Sequence, residues 1–168
     1  MAFTLADQYY LKALNEYPWN LEVSIENLNY ALSYDEEHIE ALCLMGKLYM
    51  EQLCDTEQAE EYIIQAMAID SNRFKTCAQY AYLTLDMKEF HKTKRILKHM
   101  RTIQVTNTSV LLHIEALLQE NKKSYSKSLK LLKSARIESL SDSYRRFLKN
   151  EISRVKDKKK DSKKKQNR

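Results

Sequence analysis

A chain of 168 residues has the length of one domain and can bury a substantial core. One glycine and one proline leave little room for sheet turns, and 30% charged with 43% hydrophobic residues fits an all-helical soluble protein. No apolar run approaches the roughly 18 residues of a membrane span, and the net charge of +5 conceals a bipolar layout. Residues 1–72 carry 14 acidic and 2 basic side chains, residues 73–120 carry 8 basic and 4 acidic, and residues 121–168 carry 18 basic and 5 acidic.

The opening stretch MAFTLADQYY has neither a basic n-region nor an apolar h-region, so no signal peptide is expected. Residues 3–17 are expected to form a first helix that ends near Pro18. Leu21, Ser24, Leu28 and Ala31 then line one face of a second helix. Leu42, Met45, Leu48 and Tyr49 form the i, i+3, i+4, i+7 stripe of an amphipathic helix. Gly46, the only glycine, lies inside it; a mid-helix glycine costs roughly 1 kcal/mol against alanine. That cost suggests a neighbouring helix with no room for a Cβ. Asp55, with Gln58 three residues on, is a capping-box pattern. Ala59, Tyr62, Ile63, Ala66 and Ile69 continue on one face, so residues 39–70 should form an antiparallel helical hairpin.

This hairpin resembles a tetratricopeptide repeat, a helix–turn–helix unit of about 34 residues. Leu42, Met45, Gly46 and Tyr49 fall on that family's W–L–G–Y positions, and Ala59, Ile63 and Ala66 on its A–F–A positions. Leu42 replaces the bulky aromatic, one extra residue sits in the turn before Ala59, and Ser71 replaces the closing proline. In the same register, 21–37 resembles the second half of a repeat, and the helix before it reads as an N-terminal cap.

Further along, Cys77, Tyr80 and Ala81 take first-helix positions, Asp86 and Glu89 read as another capping box, and Phe90, Thr93, Leu97 and Met100 take the second helix. A weaker unit spans 107–135, with Asn107 or Thr108 as one cap and Ser124 as the other. Leu140 to about Val155 should form a C-terminal capping helix, with Tyr144, Phe147, Leu148, Ile152 and Val155 on one side. The run KDKKKDSKKKQNR has no apolar residue and is expected to be unstructured.

Chemistry is sparse. His38, His91, His99 and His113 are scattered, with no HExxH, and a single glycine excludes a phosphate-binding loop. Asp35, Glu36, Glu37, Glu60 and Glu61 fall at helix starts, where they complement the helix dipole. Cys43, Cys54 and Cys77 lack CxxC spacing and read as reduced thiols of a cytoplasmic protein. No enzyme activity, cofactor or metal site is expected.

In the tetratricopeptide family the first helices of successive repeats line a groove that holds a peptide or helix. The resemblance therefore implies a groove of Cys43, Lys47, Met50 and Glu51, then Ala78, Tyr82 and Leu85, then His113 and Leu117. Some co-chaperones of the family clamp a C-terminal carboxylate with a Lys and Asn pair; Cys43 with Lys47, and Ala78 with Tyr82, leave that clamp absent. The mildly apolar groove suits an amphipathic helix or an extended apolar segment. The same residues can equally serve to pack a tight superhelix. The basic tail, with Lys158, Lys159, Lys160, Lys163, Lys164 and Lys165, can contact RNA, ribosome or anionic lipid without specificity, or act only as a solubilising tail. No aromatic residue interleaves these lysines, so no base-stacking platform is indicated.

The sequence thus reads as an all-α, right-handed superhelix of three to four tetratricopeptide-like hairpins over 1–153, with a basic tail over 154–168. The expected function is a non-enzymatic adaptor that holds a protein or peptide partner within a larger assembly. The alternative is an RNA- or ribosome-associated factor acting through the basic C-terminal third.

Overall fold

Short polar side chains set where most of the helices begin. The structure, a computed structural model, describes residues 3–104 and 107–166, with side chains through Lys163. Thr4 opens α1 (Leu5–Glu16) with a full capping box: its hydroxyl accepts from the Asp7 N–H at 3.1 Å, and the Asp7 carboxylate accepts from the Thr4 N–H at 2.8 Å. Asn20, Asp55 and Asn107 accept from the third residue on and start α2 (Leu21–Tyr34), α4 (Thr56–Ile69) and α7 (Thr108–Asn121). His38 starts α3 (Ile39–Leu48), its Nδ1 accepting from the Ala41 N–H at 3.1 Å. Ser141 starts α9 (Asp142–Gln166), its hydroxyl accepting from the Tyr144 N–H at 3.3 Å. The remaining helices are α5 (Phe74–Asp86), α6 (Phe90–Met100) and α8 (Tyr125–Glu138). No strand occurs among the described residues, and no helix there is long and apolar enough to cross a membrane.

Two expected caps are not made. Glu89 stands at the N-cap of α6 without a side-chain cap, and Asp86 is the last residue of α5. Lys88 takes a left-handed φ of 60°, which turns the Glu89 N–H back onto the Thr84 carbonyl at 2.8 Å. That C-terminal capping bond uses the N–H a capping box needs. Lys123, with φ 58°, repeats the arrangement: the Ser124 N–H bonds the Gln119 carbonyl at 2.9 Å, and the Ser124 side chain does not cap α8.

The chain divides into two compact units, Met1–Leu83 and Thr84–Arg168. In the first, α1 packs on α2 and α3 on α4. Small residues let the axes approach: Ala13, Ala31 and Ala41 are fully buried beside Leu28, Met45 and Leu48. The Ser24 hydroxyl, also buried, donates to the Ala13 carbonyl at 3.2 Å. At Gly46, a Cβ would lie 2.8 Å from Ile63 Cγ1 and 3.2 Å from the Ala59 carbonyl oxygen, both on α4. A π-helical turn, Tyr49–Leu53, follows α3 and ends at Cys54 with φ 56°, in the stretch where the repeat resemblance implied one extra residue. This turn sets Tyr49 in a stack on Tyr62 of α4, ring centroids 5.6 Å apart.

In the second unit, Leu132 and Ala135 of α8 pack with Ala116 of α7 and with Leu148, Ile152 and Val155 of α9. The Ser109 hydroxyl donates to the Ala135 carbonyl at 2.7 Å and joins α7 to α8. The run expected to be unstructured is helical as far as Gln166; residues 167 and 168 lie outside the described residues. Lysine has a good helix propensity and no glycine or proline interrupts the run. Its start is also anchored. Glu120 of α7, 9% exposed, takes both Arg154 guanidinium N–H groups at 2.5 and 2.7 Å and the Lys158 ammonium at 2.8 Å.

Candidate functional site

Three helices of the first unit frame a cleft of about 130 Å³. Tyr10 and Leu14 come from α1; Glu40, Cys43, Leu44 and Lys47 come from α3. Gln79 and Lys75 come from α5, preceded by Arg73. Glu40, Cys43, Leu44 and Lys47 fall on one stripe of α3 at i, i+3, i+4 and i+7, with Cys43 and Leu44 buried and Glu40 and Lys47 half-buried. The floor is apolar and tied down. Gln79 donates its side-chain amide to the Cys43 carbonyl at 2.6 Å, and the Cys43 sulfur lies 3.4 Å from the Thr76 hydroxyl. Burial pushes the Cys43 thiol up, which keeps it neutral. Burial also raises the Tyr10 phenol, with the nearby Glu40 charge adding to the effect.

The rim is charged. Arg73 pairs with Glu40, and its hydrogen bond holds the Glu40 carboxyl below the usual range despite burial. Lys47 lies 3.8 Å from Glu51 and 4.9 Å from the centre of the Tyr17 ring. Tyr17 donates to Glu51 at 2.7 Å; its phenol is pushed up to about 12, first by burial and then by that hydrogen bond. Residues 1–72 hold only two basic side chains, and Lys47 is one of them. With Arg73 and Lys75 it makes a cationic spot on an otherwise acidic unit.

Of the residues expected to line a groove, this cleft brings together Cys43 and Lys47. Met50 and Glu51 stand in the π turn, and Ala78, Tyr82 and Leu85 on α5 do not line the cleft. Ala78 and Leu85 are buried, and Tyr82 is half-buried. His113 is not an open groove residue: it is 4% exposed, its Nδ1 is 3.0 Å from the Tyr144 hydroxyl, and Phe147 meets its ring edge-on. The helix expected to cap the C-terminus supplies both aromatic rings. Leu117 is half-buried on α7. Burial pulls the His113 imidazole down, so it is neutral.

Tyr10 and Leu14 escape the sequence reading because α1 reads there as a cap. Arg73 and Lys75 do carry a signal, since the chain changes charge sign at residue 73. Among the described residues no three His, Cys, Asp or Glu side chains group where a metal ion could be held.

The second unit carries an open hollow of about 490 Å³ with walls of a different kind: Arg136 of α8, and Asp142, Arg145, Arg146 and Lys149 of α9. The eight residues between Arg136 and Arg145 hide this cluster in the sequence. Of the tail lysines, Lys158 is held by Glu120, Lys160 pairs with Asp157 at 3.3 Å, Lys159 is half-buried and Lys163 is exposed. The side chains of Lys164 and Lys165 lie outside the described residues. Comparison with family models, curated proteins and solved structures found no match.

Proposed function

We propose that this chain is a non-enzymatic, cytoplasmic adaptor, that its hairpins are tetratricopeptide-like repeats wound as a right-handed superhelix, and that its first unit holds a protein segment in the α1–α3–α5 cleft. The observation that carries this reading is the cleft itself. It has an apolar floor of Leu14, Leu44 and the Cys43 side chain, and a cationic rim of Lys47 and Lys75 on a strongly acidic unit. Such a site takes an apolar side chain for affinity and a carboxylate for orientation. Elsewhere the acidic surface repels an acidic segment, so the cationic spot also fixes its register. Burial of Leu42, Met45, Ala59, Ile63 and Ala66 at the positions where the repeat packs small against large supports the repeat reading. The free thiols of Cys43, Cys54 and Cys77 support the cytoplasmic placement.

The test is a display selection of short protein segments on the full chain. Enriched segments should share an apolar residue close to Asp or Glu. The double variant Lys47→Glu, Lys75→Glu should lose them by at least tenfold while melting like the parent. Enrichment without acidic residues, or retained by the double variant, removes the cleft from the proposal.

A further inference from the structure

We infer that the flank of the second unit around Arg136, Arg145, Arg146 and Lys149 is a binding surface for the phosphate backbone of a nucleic-acid duplex. The inference goes beyond the adaptor reading and does not depend on it.

The first observation is the balance of the hollow. Three guanidinium groups and one ammonium group face a single carboxylate, Asp142. Asp142 is 91% exposed and 3.9 Å from the Arg145 guanidinium, a long and water-screened pair worth little. Arginines present a planar fork that matches two phosphate oxygens. The charge is also placed against the helix: Arg145 and Arg146 fall in the opening turns of α9, where cations oppose the macrodipole. Phosphates seated among them relieve both the mutual repulsion and that opposition.

A second, independent observation is how α9 sorts its charges. One flank is neutralised, with Arg154 and Lys158 held by Glu120 and Glu151. The other flank is not. Arg145, Lys149, Lys156 and Lys163 fall within about 40° of one another around the axis, at ~100° per residue. None of the three lysines has a carboxylate partner among the described residues. The row runs about 27 Å at ~1.5 Å per residue, a little less than one duplex turn of roughly 34 Å.

Two features choose the ligand. No aromatic ring lines the hollow, so single-stranded bases find nothing to stack on. Leu148, Ile152 and Val155 of α9 are buried in the second unit, and Phe147, 44% exposed, packs against His113 and Tyr144, so α9 presents no continuous apolar face to a bilayer. A rigid row of cations without base contacts reads backbone spacing and not sequence.

Fluorescence anisotropy with the full chain and labelled RNA and DNA duplexes of about two turns tests this, over about 50–200 mM NaCl. Binding should weaken steeply with salt and be insensitive to base sequence; the ratio of the two affinities tells which duplex is preferred. Arg145→Glu with Lys149→Glu should weaken binding more than tenfold and flatten the salt slope by roughly two phosphates' worth. Lys127→Glu with Lys130→Glu makes the same charge change on α8 away from the hollow and should cost less than threefold. Arg145→Lys with Arg146→Lys keeps the charge and removes the fork; a several-fold loss with an unchanged slope supports the arginine contacts. Equal losses in the two Glu variants mean a net-charge effect and overturn the site. Tighter binding to a single strand, or binding to phosphatidylserine vesicles with no binding to either duplex, overturns the ligand.

Discussion

Gly46 shows how one atom decides a crossing. Alanine there gains roughly 1 kcal/mol of helix propensity. Its Cβ, however, meets Ile63 Cγ1 at 2.8 Å and the Ala59 carbonyl at 3.2 Å. The Cγ1 atom is held inside a fully buried side chain, so it cannot swing away. Overpacking of this kind costs about 1–3 kcal/mol, so Gly46→Ala should lower stability by about 1 kcal/mol net. Chemical denaturation of Gly46→Ala, Ile63→Ala and the double variant checks the cause. The glycine substitution should be less harmful, or even stabilising, once Ile63 is cut back. His113 makes a pH argument at the same scale. Burial lowers its folded-state pKa, the Arg154 charge lowers it further, and the Glu151 and Glu120 charges pull the other way. The unfolded chain, with an ordinary histidine near 6.5, then takes up a proton that the folded chain refuses. This contribution is therefore fully present above about pH 6.5 and is lost as pH falls below it. The depressed Glu120 carboxyl acts in the same direction, but only below about pH 4.5. Urea midpoints at about pH 7.5 and about pH 5.5 should differ for the parent. They should move closer together for His113→Gln, whatever that substitution does to stability overall.

At the level of elements, the helices were legible wherever apolar periodicity was long and a polar cap preceded it, as at Asp55 and Asn107. Their ends were less legible, because the chain closes several helices through left-handed residues without using glycine. Cys54, Lys88 and Lys123 all have φ between 56° and 60°. Neither lysine carries a turn signature, so the bonds that turn Glu89 and Ser124 away from capping were invisible in sequence. A β-carbon in that region costs roughly 1 kcal/mol, which glycine avoids. Lys123→Gly should therefore raise stability by about 0.5–1 kcal/mol, since residue 123 is exposed and outside the α7 and α8 ladders. A thermal melt that falls on this substitution contradicts the account. The π turn is the opposite case. The repeat resemblance pointed to an extra residue in this stretch, while the turn itself, a widened one that stacks Tyr49 on Tyr62, needed coordinates. In the cleft, the repeat resemblance pointed to Cys43 and Lys47, while Tyr10, Leu14 and Gln79 arrive from helices distant in sequence.

Across the whole molecule, the acidic first third and the basic last third become two surfaces with different chemistry, one apolar cleft and one cationic row. The boundary between folded chain and basic tail also moves. The sequence reading ends the folded domain at residue 153, although the capping helix is expected to reach about Val155. Yet Val155 is fully buried in the second unit, and Arg154 neutralises Glu120, which is 9% exposed. Lys158 reaches the same carboxylate with its ammonium half-exposed, so its share is small. A chain ended at Ser153 loses a core side chain and strips the Glu120 carboxylate of its cations. Arg154 is 37% exposed and the cut opens Glu120 to water, so loss of the pair costs about 1 kcal/mol, and loss of the buried valine adds about 2 kcal/mol. At about 2–4 °C per kcal/mol for a chain of this size, the 1–153 chain should melt roughly 6–12 °C below the full chain. A chain ended at Lys160 keeps Val155, Arg154 and Lys158 and should melt within about 2 °C of it. Differential scanning calorimetry of the three chains decides this. Equal melting of the 1–153 and full chains would show that Glu120, Arg154 and Val155 do not hold α9 in place. With the expected difference, ligand binding lost on cutting at 153 reports unfolding of α9 as well as lost charge, and only the cut at 160 isolates the terminal lysines.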